Sequence, residues 1–236
     1  MVQQKHLTYF DILSLCEQET CPVCQAGQKA VFGYLEMILY ESVTDPGVND
    51  TLCASWGYCY EHAWLLPKIG QGNLSGIALL YRELITCINK QIPAARETTR
   101  KRWHVLRWLR GFFPSRQQRW QFSPQQRCPA CQLRQDTETR TLQVIIAALS
   151  QNDERMSHAL QVSGGLCLTH LQDALAVVQH KGVIEHLIHC TQHELTHIQD
   201  ELNEFIRKYD YRFHHEPIGN ERESWKRAIR FFVGIE

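Results

Sequence analysis

The chain has 236 residues, 44% of them hydrophobic, and its 25 basic side chains balance 25 acidic ones to a formal net charge of zero. That composition excludes a wholly disordered chain and gives no global reason to expect a polyanionic partner. The opening MVQQKHLTYFDILSL lacks a basic stretch followed by a long apolar one, and no apolar run nears the roughly 18 residues of a membrane span. A soluble cytoplasmic protein is expected, and in that compartment ten cysteines point to metal ligation or free buried thiols rather than a disulfide framework.

Apolar residues at 7, 10, 13 and 15 predict a first helix over 6–18. After Cys21-Pro22-Val23-Cys24, the spacing of Val31, Tyr34, Leu35, Ile38 and Leu39 predicts a second over 30–43. Thr44-Asp45-Pro46-Gly47 breaks the chain. A short helix leads to Gly57-Tyr58-Cys59-Tyr60-Glu61-His62, a ligand-bearing helix covers 59–68, and 73–92 reads as another helix. The order then repeats. Cys128-Pro129-Ala130-Cys131 opens a long helix to residue 149, and a short helix leads to Gly165-Leu166-Cys167-Leu168-Thr169-His170. Lys181-Gly182 breaks the chain, and a last long helix covers 183–209. In the tail, Trp225, Ala228, Ile229 and Phe232 share one side of a short helix over 220–232.

The expected fold is therefore all-α: helical bundles from an internal duplication, each repeat pinned by a Cys3His zinc site. Residues 1–92 form the first repeat, 93–127 a basic Trp- and Arg-rich linker or amphipathic helix, 128–209 the second repeat, and 210–236 the tail. Between the inner cysteines lie 34 residues in one copy and 35 in the other, and Leu52 and Leu160 keep the same offset.

The chemistry explains the pattern. A Cys-x-x-Cys turn aims two thiolates at one point, and Cys-x-x-His at a helix start brings two more ligands onto one helical turn. Three sulfurs and one imidazole make a closed tetrahedral set suited to structural zinc. Cys21, Cys24, Cys59 and His62 would form one site, and Cys128, Cys131, Cys167 and His170 the other, giving two zinc ions per chain. Ligation across repeats is the alternative grouping, and an iron–sulfur cluster the alternative cofactor. Cys53 and Cys87 are expected as small buried hydrophobes, and Cys16 is a candidate spare ligand.

Residues 91–127 hold nine basic side chains to one acidic, a net of +8 against −8 for the remainder. Val105, Leu106, Leu109, Phe112 and Phe113 fall on one helical face, with Arg100, Arg107 and Arg110 on another, and Pro114 ends the pattern. The favoured reading is a basic amphipathic helix packed on the acidic remainder. Arg100, Lys101, Arg102, Arg107 and Arg110 are candidate polyanion contacts, through a membrane surface or through nucleic acid stacked on Trp103, Trp108 or Trp120.

His193-Glu194-Leu195-Thr196-His197 matches HExxH, in which two histidines hold zinc and the glutamate activates water. No third ligand follows at the metzincin spacing. Ile184, Leu187, Ile188, Leu195, Ile198, Leu202 and Phe205 form the expected apolar face, with His186, His189, His193 and His197 opposite. The favoured reading is a solvated polar face. His193 and His197 remain candidate accessory ligands, and Glu194 the catalytic group of an alternative zinc hydrolase.

The paired CPxC and GxCxxH elements, the phrase Phe205-Ile206-Arg207-Lys208-Tyr209-Asp210-Tyr211-Arg212-Phe213 and the later Glu223-Ser224-Trp225 resemble an uncharacterised family of bacterial cytoplasmic proteins with a domain of unknown function. The resemblance implies metal-binding cysteines and brings no activity. The expected function is a zinc-stabilised binding or scaffold protein with a protein partner. A zinc hydrolase, a nucleic-acid adaptor acting through 96–127 and a thiol redox sensor are the alternatives.

Overall fold

In this computed structural model the described residues are 8–18, 20–70, 73–106, 123–213 and 215–235, with 93–106 described by backbone alone. The described chain is helical, with no strand. In chain order the helices are α1 (Tyr9–Cys16), α2 (Pro22–Glu41), α3 (Pro46–Ser55), α4 (Tyr60–Ile69), α5 (Leu74–Leu106), α6 (Pro129–Ser150), α7 (Glu154–Val162), α8 (Leu168–Val177), α9 (Lys181–Lys208) and α10 (Ser224–Val233). A 3-10 turn at Asn220–Glu223 leads into α10.

Local chemistry sets most boundaries. Thr8 and Asp11 cap α1 reciprocally, and Asp45 and Asp153 cap α3 and α7 through their carboxylates. Both ligand-bearing helices start directly after a cysteine in extended backbone, Cys59 for α4 and Cys167 for α8. Helices α2 and α6 begin at the prolines of the two CPxC turns, inside the motif, because proline suits the first helical position. Three expectations change here. Helix α2 begins at Pro22 and not at residue 30, α5 runs on past residue 92 to Leu106, and Lys181-Gly182 starts α9 instead of preceding it. Residues 107–122, with Arg107, Arg110, Trp108 and Trp120, lie outside the described residues, as do the side chains of Arg100, Lys101, Arg102 and Trp103.

The chain divides into two compact units, and the division cuts across the 1–92 and 128–209 halves. Unit one takes Met1–Ala30 with Arg134–Glu236, and unit two takes Val31–Leu133. Each CPxC turn therefore belongs to the unit built mainly from the other half's helices. In unit one, Ile12, Val23, Ile145, Met156, Leu160 and Leu187 form the centre of the core. In unit two, Val31, Leu35, Ile38, Leu39, Leu66 and Leu80 do so. Each such side chain contributes about 1.5–3 kcal/mol on burial.

The tail is tied into unit one by charge. Arg207 holds Glu204 and Glu216, Lys208 reaches Glu221 at 2.7 Å and the Pro217 carbonyl at 2.9 Å, and Arg227 pairs with Glu201. The Arg207 guanidinium also lies 4.6 Å from the centre of the Phe213 ring. The phrase around residues 205–213 thus fixes the turn that brings α10 back onto α9 and α8.

Candidate metal centres

Two turns of nearly identical construction present the CxxH ligands. Helix α3 ends with Trp56 and Gly57 at positive φ, and α7 is followed by Gly164 and Gly165 at positive φ. The Gly57 N–H returns to the Leu52 carbonyl at 2.7 Å, and the Gly165 N–H returns to Leu160 at 2.9 Å. These bonds satisfy the open carbonyls at each helix end. The Ser55 and Ser163 hydroxyls donate to the same two leucine carbonyls. Leu52 and Leu160, which share the repeat offset, are thus the anchors of both turns.

The CPxC turns arrive by different routes. In unit one, the Tyr9 hydroxyl donates to Asp153 at 2.6 Å, holding α1 against α7 so that the chain delivers Cys21 and Cys24 beside Cys167. In unit two, the Gln125 and Gln126 N–H groups both donate to the Ala54 carbonyl, at 2.8 and 3.2 Å. That contact sets Cys128 and Cys131 beside the Gly57–Cys59 turn.

The result is two four-residue groups, and their membership corrects the expectation of ligation within each repeat. Cys21 and Cys24 meet Cys167 and His170 in unit one, here site one. Cys128 and Cys131 meet Cys59 and His62 in unit two, here site two. The physical reason lies in the packing around each turn: Cys24 opens α2 within unit one. Packing of α3 against α5 and the Gln125–Ala54 contact keep Cys59 in unit two instead.

All four candidate ligand atoms of each group lie within 4.8 Å of one another. In site one the His170 Nδ1 stands 3.5, 3.3 and 3.2 Å from the sulfurs of Cys21, Cys24 and Cys167. In site two the His62 Nδ1 stands 3.2, 3.6 and 3.4 Å from those of Cys59, Cys128 and Cys131. A tetrahedral ion with metal–sulfur bonds of about 2.3 Å and a metal–nitrogen bond of about 2.05 Å needs S···N near 3.6 Å and S···S near 3.8 Å. The sulfurs of Cys24 and Cys167 are 3.6 Å apart, and those of Cys59 and Cys131 3.5 Å. The groups fit one small ion each. A cluster, whose ligands bind different iron atoms, would need a wider set.

The surroundings of site one support its histidine. With Nδ1 turned to the sulfurs, Nε2 faces the Glu138 carboxylate at 3.6 Å, and Arg134 holds that carboxylate at 2.9 Å. Burial works against charge on His170, but the sulfurs of Cys167 and Cys24 and the Glu138 carboxylate outweigh it and raise its pKa. Hydrogen bonds from Cys21 and Cys24 hold the Cys167 thiol low, so the group already favours a thiolate. Gly27 leaves the room: a Cβ there would stand 2.7 Å from Glu138. Beyond α10, a Cβ on Gly234 would stand 3.0 Å from the Cys24 sulfur, so the backbone closes directly over the site. Glu138, Gly27 and Gly234 carry no signal in linear spacing, since their roles depend on groups brought together only by folding.

The remaining cysteines behave differently. Cys53 and Cys87 are joined as a disulfide with Cα atoms 6.0 Å apart, correcting their reading as small hydrophobes. Packing of α3 on α5 places them opposite each other, which sequence separation could not reveal. Cys16 belongs to neither group, and burial pushes its thiol up to about 11.

The HExxH segment is rearranged relative to expectation. His193 and His197 are exposed and belong to neither group found among the described residues. Ile188 and Leu195 are exposed, whereas Glu194 turns inward and His186 is half-buried, its Nε2 3.2 Å from the Ser157 hydroxyl. The inner face of α9 is set by Val183, Leu187, Cys190, Thr191 and Ile198. Glu194 lines a cleft of about 40 Å³ with Gly164, Cys167, Arg227 and Arg230. Burial raises its pKa. At roughly 10–15 Å³ per water the cleft has room for about three or four water molecules, far below the size of a metabolite pocket.

These features define an all-α protein with two preformed Cys3His groups. The chain belongs to a family of unknown function, DUF6062, which it matches over residues 10–236. It is also similar to an uncharacterised 23.9 kDa protein encoded in the xynA 3′ region of Caldicellulosiruptor sp. (strain Rt8B.4). The two are 23% identical over 224 residues, covering 93% of this chain and 98% of the relative. No solved structure matches.

Proposed function

We propose that the protein is a zinc-stabilised helical binding or scaffold protein, cytoplasmic and of bacterial type, whose two Cys3His groups each hold one structural zinc ion. The convergence of four soft ligands to tetrahedral spacing in each unit carries this reading. Three thiolates and one imidazole suit zinc, and a set with all four positions filled by protein leaves none for water or substrate. Zinc would supply cross-linking: each ion would join a CPxC turn to a GxCxxH turn more than 60 residues away in sequence. Such binding is worth of order 10 kcal/mol in small zinc modules.

A partner-binding role is supported by apolar surface on the tail helix, where Trp225, Ile229 and Phe232 are exposed. Among the described residues no helix is long and apolar enough to cross a membrane.

The test is elemental analysis of the purified protein and of the His193→Ala/His197→Ala variant. Two zinc ions per chain in both are expected. A third ion lost only from the variant would move the reading to a hydrolase, and iron with visible absorbance would replace zinc by a cluster.

A further inference from the structure

The two groups are alike in ligand type and unlike in exposure. In site one Cys21, Cys24, Cys167 and His170 are all buried, with Cys24 2% and Cys167 3% exposed. In site two His62 is 2% and Cys128 9% exposed, and Cys59 and Cys131 are more open. The sulfurs of these two partly exposed cysteines stand 3.5 Å apart. Site one holds an equally close pair, Cys24 and Cys167, but beneath the Gly234 backbone and out of solvent.

We propose that Cys59 and Cys131 are a specific oxidation site: a hydroperoxide converts them to a disulfide and opens site two, while site one keeps its ion. The inference rests on the reading of both groups as metal sites. The Cys59 thiolate attacks the peroxide, the O–O bond breaks, and the sulfur keeps the near oxygen as a sulfenic acid. The far oxygen leaves with the bonding pair and takes a proton. The Cys131 thiolate then attacks the Cys59 sulfur and expels hydroxide, which also takes a proton. Two electrons have passed from the two sulfurs to the two peroxide oxygens. Only His62 and Cys128 remain as ligands, too few to retain zinc.

The experiment uses the full-length wild-type protein, with its zinc counted first. Hydrogen peroxide is added at rising ratio, released zinc is read with a colorimetric chelator, and disulfides are mapped in non-reduced digests against the Cys53–Cys87 bond present from the outset. One zinc per chain is expected to leave in step with a Cys59–Cys131 linkage, the second remaining until a large excess of oxidant. A thiol reductant with added zinc should restore the starting count. Simultaneous loss of both ions, a first linkage joining Cys24 to Cys167, or release without a Cys59–Cys131 bond would overturn the inference while leaving the metal reading intact. A starting protein without zinc would overturn both, and the initial count separates that case.

Discussion

The sulfurs of Cys24 and Cys167 stand 3.6 Å apart although 143 residues separate them in sequence. Each unit is thus closed by residues from both halves of the chain, and this crossing makes a stoichiometric prediction. If Cys24 and Cys167 share one ion, the Cys24→Ser/Cys167→Ser double variant loses one zinc per chain and retains the other. Cys24→Ser/Cys59→Ser loses both. Ligation within each half predicts the reverse, so zinc counts on the two double variants decide between the groupings. Thermal unfolding of the first should show destabilisation confined to unit one, of order 10 kcal/mol by comparison with small zinc modules.

Glu138 should act on His170 without touching the ion. Its carboxylate faces Nε2 at 3.6 Å, and such partners fix the ring orientation and raise ligand basicity. Glu138→Gln is expected to weaken zinc at site one by roughly 10- to 100-fold, with site two unchanged. Competition against a chelator of known affinity reads both sites at once. Equal weakening at both, or none, would count against the assigned role.

Gly57→Ala tests the turn that presents Cys59. Gly57 has φ of +88°, and a Cβ there would stand 2.8 Å from the Leu84 side chain. Left-handed backbone and crowding together should destabilise unit two by about 1–3 kcal/mol. Urea unfolding reads the loss. Because the turn sets the cysteine, zinc at site two should also be released faster by chelator, with site one as the internal control.

Much of this was legible in the sequence for a simple reason: the ligands cluster within two short motifs, and helical periodicity is local. The eight candidate ligands, the helix order and the Leu52–Leu160 correspondence all follow from spacing. Which motif meets which did not follow, because it depends on Tyr9 finding Asp153 and Gln125 finding Ala54. The Cys53–Cys87 bond and the place of Glu138 share that dependence on long-range packing. The helix phase at Leu195 and Glu194 misled for another reason. A polar residue can turn inward where a small cleft and nearby arginines accept it, so apolar periodicity alone places the face a little wrongly.

Acid should loosen the tail before it opens the core. Lys208 beside Glu221, together with backbone N–H donors, holds that carboxyl down at about 2, and Arg207 with Lys208 holds Glu204 at about 2. A carboxylate lowered in the folded state contributes stability that is fully present above its unfolded pKa, here near the ordinary 4.5, and is lost as pH falls towards the folded value. The urea midpoint of unit one should therefore hold steady from neutrality to about pH 5.5 and fall between about pH 5 and pH 2. Glu221→Gln cannot carry the charge, so it should be less stable than the wild type at pH 7 and lose less on acidification. The two proteins should converge near pH 2, with Glu204 supplying the slope that remains in the variant. A variant that falls as steeply as the wild type would place the acid sensitivity elsewhere, in the protonation of the site-one thiolates. That case is separable, since zinc release would then track the unfolding curve.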